Sequence, residues 1–270
     1  MRKGVYITLI IIILGFLALM YFLFAKDNLS QERYKTTFII GDSTVWNYSS
    51  RRWTTLENYK TLSDINWKKF TVYEDNNKLG NYLAWRDDKW YFFTEDKEAV
   101  VTNGGKILAF NSNHPINVIK YNEVPTTDND LDVINYVLTD HELSTSSKFT
   151  VNTKVDVDLD NDEELETIYC LSNAFATEFT PDNVFSFVVI KDDNNIFYLY
   201  EAVDDNTGVN SCRPFIHHII DVNNDNNYEI IVSCGRYSIE EQLDMLYQRQ
   251  EIDEGNGTKS ISYKIVISNQ

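Results

Sequence analysis

A nine-residue acidic pattern occurs twice in this chain, once as Asp158–Glu166 and again 63 positions later as Asp221–Glu229. Each copy lies between two apolar runs, and oxygen-bearing side chains recur at positions 1, 3, 5 and 9 of both. Alternate residues of a tight turn can converge their oxygens on a hard cation, and a backbone carbonyl near position 7 can complete the shell. Ca²⁺ accepts roughly six to eight oxygens in a flexible geometry. The pattern therefore predicts a calcium-binding loop in each copy.

Each copy is expected to use its four oxygen-bearing side chains together with one backbone carbonyl. The predicted ligands are Asp158, Asp160, Asp162, Glu166 and the carbonyl of Glu164 for one Ca²⁺, and Asp221, Asn223, Asp225, Glu229 and the carbonyl of Asn227 for a second. The second set has one carboxylate fewer, so we expect it to bind more weakly. Asp and Asn also favour turns without any metal, so two acidic, solvated turns are the alternative interpretation.

The flanking residues distinguish these loops from EF-hands. An EF-hand has Gly at position 6 and a bidentate Glu at position 12, between two helices. Here position 6 is Glu163 or Asn226, and position 12 is Tyr169 or Val232. The flanks are rich in β-branched and aromatic residues, which favour strands. The sequence predicts a strand, a calcium loop and a second strand in each copy.

Residues 149–270 resemble the FG-GAP (VCBS-type) repeats of β-propeller proteins, whose blades carry Asp-x-Asp/Asn-x-Asp-Gly-x-x-Asp/Glu before a hydrophobic strand. That family favours Gly at positions 4 and 6, where this chain has Asn161 and Glu163, then Asn224 and Asn226. Asn tolerates a left-handed backbone and Glu does so poorly, so the first loop departs further from the family. The resemblance implies propeller-like blades, structural calcium, and adhesion, ligand binding or assembly at a cell surface.

Each repeat is expected to form four antiparallel strands over about 60 residues, the size of a propeller blade. The predicted strands are 149–157, 165–172, 184–190 and 196–203, then 215–220, 229–234, 243–249 and 260–267. The segment 243–249 could equally form a short helix.

The region before the repeats is also β-like. Alternating aromatic and polar residues predict strands at 37–41, 45–48, 70–73, 80–85, 90–93, 106–111 and 117–121, the last two completing a hairpin-like meander. Apolar residues at helical spacing predict a short helix around Leu131–Leu138, with Thr127 and Asp130 as a capping pair. The expected organisation is an anchor at 1–25, a linker at 26–35, a β meander at 36–125, a connector at 126–145 and the repeats at 146–270.

The amino terminus carries an uncharged, mostly apolar run, Val5–Phe24, after Arg2 and Lys3. Its length suffices to span a ~30 Å hydrocarbon core as a helix. A cleaved signal peptide is the alternative, but bulky residues stand where a signal peptidase needs small ones. We expect a single-pass membrane anchor, with the basic flank inside and the remainder of the chain extracytoplasmic.

The formal net charge of −17 excludes a nucleic-acid partner, because a phosphate backbone requires a basic surface. Three cysteines, Cys170, Cys212 and Cys234, permit at most one internal disulfide. We expect all three to be buried thiols that pack as small apolar side chains. The expected partners are the membrane and an extracellular protein or glycan.

No complete catalytic constellation is present, so we expect no enzymatic activity. Gly41-Asp42-Ser43 resembles the nucleophile block of the GDSL (SGNH) hydrolases, but the Gly-x-Asn-Asp and Asp-x-x-His blocks of that family are missing. His217 and His218 are adjacent on a predicted strand, so their rings are expected on opposite faces. Two alternatives remain: a surface hydrolase using Ser43, and a carbohydrate-binding module using the aromatic residues between Trp46 and Trp90.

Overall fold

The computed structural model describes residues 35–56, 62–100, 105–145, 149–174, 184–204, 212–235, 242–253, 255 and 259–269. Within these ranges the chain forms seventeen strands, β1–β17, and one helix of 11 residues, α1. The expected all-β class is therefore confirmed. No helix in these ranges has the length and apolarity needed to cross a bilayer. The predicted anchor, Val5–Phe24, lies outside the described residues.

The first half of the described chain builds a seven-stranded antiparallel sheet, sheet 1, in the order β3-β2-β1-β7-β4-β5-β6. Its strands are β1 (Lys35–Ile40), β2 (Thr44–Ser49), β3 (Arg52–Thr55), β4 (Lys69–Glu74), β5 (Asn77–Arg86), β6 (Trp90–Phe93) and β7 (Ile107–Ser112). Strand β7 lies between β1 and β4 and joins two meanders into one sheet.

The two repeats form two five-stranded antiparallel sheets of the same topology. Sheet 2 contains β9 (Asn122–Glu123), β10 (Thr150–Val157), β11 (Glu166–Ser172), β12 (Val184–Asp192) and β13 (Asn195–Asp204). Sheet 3 contains β8 (Asn117–Val118), β14 (Arg213–Asp221), β15 (Glu229–Gly235), β16 (Gln242–Asp253) and β17 (Lys259–Ser268). All eight predicted repeat strands are confirmed, and 243–249 belongs to a strand.

The hairpin expected from 106–111 and 117–121 is wrong. Val118 pairs with Ile220 in sheet 3, and Glu123 pairs with Val155 in sheet 2, whereas β7 stays in sheet 1. Each of these two-residue strands completes the free edge of a repeat. The linking segment therefore runs from one repeat sheet to the other, a pairing that local turn chemistry does not encode.

Strands β14 and β15 of sheet 3 are buried on both faces, because sheet 3 is stacked between the other two sheets. Side chains alternate along a strand, and in β15 Ile230 and Val232 pack against sheet 2 while Ile231 packs against sheet 1. This explains why the strand is apolar at consecutive positions. None of the three sheets closes on itself within the described ranges.

The outer face of sheet 2 is covered by α1 (Asp130–Asp140), which confirms the predicted connecting helix. Ile134 and Leu138 are almost fully buried there against Phe187 and its neighbours. The expected capping role of Thr127 is wrong, because the helix is capped at Asn129, without a side-chain hydrogen bond. Thr127 and Asp130 do form a pair: Oδ2 of Asp130 accepts the backbone N–H of Thr127 at 2.6 Å and its hydroxyl at 2.9 Å. The layers therefore follow the order sheet 1, sheet 3, sheet 2, α1.

The expectation of three free thiols is wrong for two of the cysteines. Cys212 and Cys234 form a disulfide, with their Cα atoms 5.5 Å apart. Cys212 directly precedes β14, and Pro214 pairs with Cys234 on β15, so the register brings the two residues together. Cys170 is a free, fully buried thiol at the equivalent place in sheet 2.

Candidate metal centre

The first acidic loop connects β10 to β11 and is folded by its first residue. The carboxylate of Asp158 accepts backbone N–H groups from Asn161 at 2.6 Å, Asp162 at 3.2 Å and Glu163 at 3.0 Å. A short side chain that accepts several following amides is the usual way in which Asp closes a tight turn. The loop is therefore wrapped around the position 1 carboxylate.

The second loop, between β14 and β15, repeats this arrangement. The carboxylate of Asp221 accepts the N–H groups of Asp225 and Asn226, both at 3.2 Å. The donors are at positions 5 and 6, which are also two of the three donor positions in the first loop. The duplicated pattern therefore encodes a duplicated local structure.

Positions 4 and 6 of both loops adopt left-handed backbone conformations. The φ angles are 62° at Asn161 and 75° at Glu163, then 55° at Asn224 and 63° at Asn226. These are the positions at which FG-GAP loops favour Gly. A residue such as Glu pays of order 1–3 kcal/mol for such a conformation, so the first loop keeps its shape at some cost.

The glutamate at position 9 turns back beneath each loop. Oε2 of Glu166 accepts the N–H of Leu159 at 2.6 Å, and Oε2 of Glu229 accepts the N–H of Val222 at 3.1 Å. Both side chains are buried, since the exposed fraction is 5% for Glu166 and 0% for Glu229. Oε1 of Glu229 also accepts a hydrogen bond from Gln248.

Three of the predicted ligands converge in the first loop. Single carboxylate oxygens of Asp158, Asp160 and Glu166 lie within 4.8 Å of one another. Oδ1 of Asp160 is buried and has no hydrogen-bond partner among the described residues. Asp162 is outside this group, and its Oδ1 accepts the N–H of Glu164 at 2.8 Å. The first loop is thus a partly assembled shell of carboxylate oxygens.

In the second loop, the carboxylate oxygens of Asp225 accept hydrogen bonds from within the loop itself. Oδ2 of Asp225 accepts from the amide of Asn223 at 2.8 Å, and Oδ1 accepts from the N–H of Asn227 at 2.9 Å. Within the described ranges no three acids converge here as they do in the first loop. Position 3 of this loop is the amide of Asn223, which donates a hydrogen bond to Asp225. A carboxylate at the same position, such as Asp160 of the first loop, would be a third acid and would repel Asp225.

Burial makes these carboxyl groups hard to ionise. It raises the pKa of Glu166 to about 7, with Asp160 contributing a smaller repulsion. Burial, reinforced by Asp225 and Asp221, raises the pKa of Glu229 well above its usual range. Burial also raises the pKa of Asp160, although Arg249 opposes the shift. A bound divalent cation would reverse these shifts, because it favours the ionised forms.

Two residues near the first loop are far from it in sequence. Nη2 of Arg249, on β16, donates to Oδ2 of Asp160 at 2.6 Å. Asp192, at the end of β12, is close enough for Asp160 to contribute to its raised pKa, after the larger effect of burial. Neither residue belongs to the repeated pattern, so the sequence contained no local signal for them.

The expectation that the adjacent histidines face opposite ways is wrong. The Nδ1 atoms of His217 and His218 are 2.6 Å apart, and both rings are buried. A β-bulge between Ile216 and His218 breaks the alternation of side chains along β14. Nε2 of His218 donates to the carbonyl of Asp75. The bulge therefore creates a buried histidine pair.

The histidine pair adjoins the Gly-Asp-Ser turn. His217 and Ser43 both line a cavity of about 460 Å³ between sheets 1 and 3. The hydroxyl of Ser43 makes no hydrogen bond to any residue of the described ranges. The nucleophile–base contact that would support a hydrolase is therefore not formed.

The aromatic cluster divides into a core and a surface. Trp46 and Trp90 are buried, with exposed fractions of 0% and 5%, whereas Trp67 is 47% exposed. Trp67 contacts the half-buried Trp85, with ring centroids 6.4 Å apart, and Phe93, at 5.6 Å. A ligand could therefore stack on Trp67 and its neighbours, but not on the buried Trp46 and Trp90.

A comparison of the chain with models of protein families gave no match. Comparisons with curated proteins and with solved structures gave none either.

Proposed function

We propose that this chain is a membrane-anchored, extracytoplasmic, calcium-binding β-repeat protein in which the ion stabilises the repeats. The observation that carries the proposal is the convergence of Asp158, Asp160 and Glu166 within 4.8 Å at one end of sheet 2. Three carboxylates held so close repel one another, and a divalent cation between them removes that repulsion. The propeller-like arrangement of the repeats belongs to the same proposal.

The choice of Ca²⁺ follows from the donor atoms. All the predicted ligands are oxygens, without histidine or cysteine, which favours Ca²⁺ or Mg²⁺ over softer metals. A loop that uses carboxylates and one backbone carbonyl lacks the rigid octahedral geometry that Mg²⁺ requires. The first loop is the stronger candidate, and the second would need Asp225 to exchange its local hydrogen bonds for the ion.

A structural role fits the position of the loops. Each loop joins the first two strands of a repeat, and its position 9 glutamate is the first residue of the second strand. At free calcium about a hundred times the dissociation constant, binding to the folded state alone adds about 2.7 kcal/mol per site. That is a large part of a typical stability of ~5–15 kcal/mol. The proposal includes no catalytic step. It gives the protein a role in adhesion, ligand binding or assembly.

Two observations agree with an extracytoplasmic location. The uncharged run Val5–Phe24 is long enough for an anchor, and the disulfide Cys212–Cys234 is typical of oxidising compartments. Extracellular calcium would be available there at millimolar levels.

Calorimetric titration of the full chain in detergent micelles with Ca²⁺ tests the proposal. We expect saturable binding that is lost from the first site in Asp158→Asn and from the second in Asp221→Asn. Asp87→Asn, which changes an exposed acid away from both loops, is the matched control and should bind like the parent. Absence of calcium binding to the parent chain, or equal binding by Asp158→Asn and Asp87→Asn, would refute the first site.

A second candidate function is glycan binding by an aromatic strip of the exposed Trp67 and the partly buried Trp85, Tyr91 and Phe93, whose rings form a chain of contacts. Sugar rings stack on such surfaces through their apolar faces. A glycan array probed with the parent chain and with Trp67→Ala tests it. Signals that survive in Trp67→Ala, or an array without signals, would count against this function.

A further inference from the structure

A polar cleft of about 870 Å³ lies where the edge strands of sheets 1 and 3 meet. Three basic side chains line it: Arg51 and Arg52 from the β2–β3 turn, and Lys264 from β17. Within the described residues none of the three has an ion-pair partner. In a chain of net charge −17, three cations in one cleft, each without an ion pair to a described residue, are a local reversal of the charge pattern.

The turn that presents the arginines has an unusual backbone. Ser50 and Arg51 both have positive φ angles, 53° and 59°, in a two-residue hairpin turn closed by the pairing of Ser49 with Arg52. Such turns favour Asn-Gly, because those residues adopt the conformation without strain. The turn instead carries Arg51 at a strained position, and strained residues cluster at functional sites.

The opposite wall contains part of the second acidic loop. Among the described residues that line the cleft, Asp225 is the single acid, so the three cations outnumber it. Both oxygens of Asp225 already accept hydrogen bonds from within the loop. The charge offered to a ligand in the cleft is therefore positive.

The cleft is bordered by an unpaired sheet edge. β17 is ten residues long and pairs with β16 on one side only; no described strand pairs with its other side. Ile265 in its middle is 45% exposed and lines the cleft, as does the half-buried Trp53. A long edge with exposed apolar residues is a template for pairing with another extended chain.

We propose that this cleft binds an extended acidic peptide segment of a partner protein, which adds as a strand to the free edge of β17. Backbone hydrogen bonds to the edge would hold the peptide, and its carboxylates would pair with Arg51, Arg52 and Lys264. Guanidinium groups suit this task, since each can hold a carboxylate with two parallel hydrogen bonds. This inference goes beyond the proposed function and does not require an ion in either loop.

Fluorescence anisotropy of labelled peptides tests the inference on the full chain in detergent micelles, with millimolar Ca²⁺ in every sample. The probe is an acetylated, amidated peptide of alternating threonine and glutamate, ten residues long. The same peptide with glutamine in place of glutamate, and an acidic version N-methylated at alternate residues, are the comparison ligands. We expect the acidic peptide to bind at least about tenfold more tightly than either comparison peptide. Its binding should weaken as salt is added.

The protein variants localise the site. Arg51→Gln combined with Arg52→Gln should weaken binding of the acidic peptide about tenfold or more. Lys78→Gln combined with Lys120→Gln removes the same charge from exposed residues that do not line the cleft, and should leave binding unchanged. Lys264→Gln gives an independent check if the double arginine variant has a lowered melting temperature.

Three results would overturn the inference: no binding of the acidic peptide, equal binding of the glutamine or N-methylated peptide, or unchanged binding by the arginine and Lys264 variants. Calcium binding is measured separately by calorimetry. A chain that binds calcium but not the peptide would refute this inference and leave the proposed function standing. A chain that binds the peptide but not calcium would refute the proposed function and leave this inference standing.

Discussion

Arg249 of sheet 3 donates from Nη2 to Oδ2 of Asp160 in the first acidic loop of sheet 2, at 2.6 Å. The exposed fraction of the side chain is 7% for Arg249 and 22% for Asp160, so the pair is mostly withdrawn from water. It places one positive charge beside the converging carboxylates and links the two repeat sheets. A cation bound in the loop would have to share Asp160 with this guanidinium.

Arg249→Gln is expected to destabilise the calcium-free protein by about 2 kcal/mol, because it leaves a half-buried carboxylate without a counter-charge. With saturating Ca²⁺ the loss should be smaller, since the ion supplies the missing charge, and calcium should bind more tightly than to the parent. Urea denaturation with and without chelator measures the first effect, and calorimetry the second. Arg213→Gln, an exposed arginine, is the control. Equal losses in both buffers would show that Arg249 and the ion do not compensate for one another.

The stability of the calcium-free protein should carry a pH-dependent contribution from Glu166. Its folded pKa of about 7 lies above the ordinary value of 4.5, so the folded state binds the proton more tightly than the unfolded state. Stability therefore falls as pH rises from about 4.5 to about 7, by roughly 1–3 kcal/mol. Glu166→Gln should remove this slope, whereas Glu98→Gln, at an exposed position, should keep it.

The difference between parent and Glu166→Gln is the quantity to measure, because the histidine pair acts in the opposite direction over the same range. Burial lowers the folded pKa of both His217 and His218, so their contribution to stability is lost as pH falls below about 6.5. Urea denaturation at a series of pH values in chelator gives the difference directly. An identical pH profile for the two proteins would contradict the assigned role of Glu166.

The histidine pair is expected to hold fixed and opposite tautomers. A carbonyl can only accept, so His218 carries its proton on Nε2 towards Asp75, and its Nδ1 is a lone pair. His217 must then donate from Nδ1, which leaves its Nε2 unprotonated. Burial lowers the pKa of His218 to about 3 and that of His217 well below 6.5.

Nitrogen-15 NMR of the imidazoles checks this assignment. We expect two neutral rings, one of each tautomer, with shifts that do not change between about pH 5 and pH 8. The partly exposed His141 serves as an internal comparison for a ring outside the pair. Titration of either ring of the pair near pH 6.5, or the same tautomer in both, would rule out the proposed chain of hydrogen bonds.

Removing the disulfide by Cys212→Ser should lower the free energy of unfolding by about 3 kcal/mol, because the bridge closes a loop between residues 22 positions apart. Thiol titration without reductant should detect no reactive group in the native parent and one after denaturation, since Cys170 is fully buried. Denaturant melts and thiol counting give these two results. Three reactive thiols in the denatured, unreduced protein would contradict the bridge.

Local pattern determined the strands of both repeats, the connecting helix and the two acidic loops, because each depends on residues that are near one another in sequence. The left-handed residues at positions 4 and 6, and the back-bonded Asp158 and Asp221, follow from turn chemistry that the repeated pattern contains. The calcium ligands were predicted on the same basis. Asp158, Asp160 and Glu166 form an acidic cluster at the first loop, and the binding of Ca²⁺ there stays a prediction.

Tertiary structure decided the features that depend on register and stacking. The bulge that brings His217 and His218 together is visible only in the pairing of β14 with β15, since one extra residue shifts every later side chain to the other face. The Cys212–Cys234 bridge depends on the same register. Arg249 reaches Asp160, 89 residues away in sequence, because sheets 2 and 3 stack face to face. Contacts between sheets arise from packing of whole elements, and no short stretch of sequence specifies them.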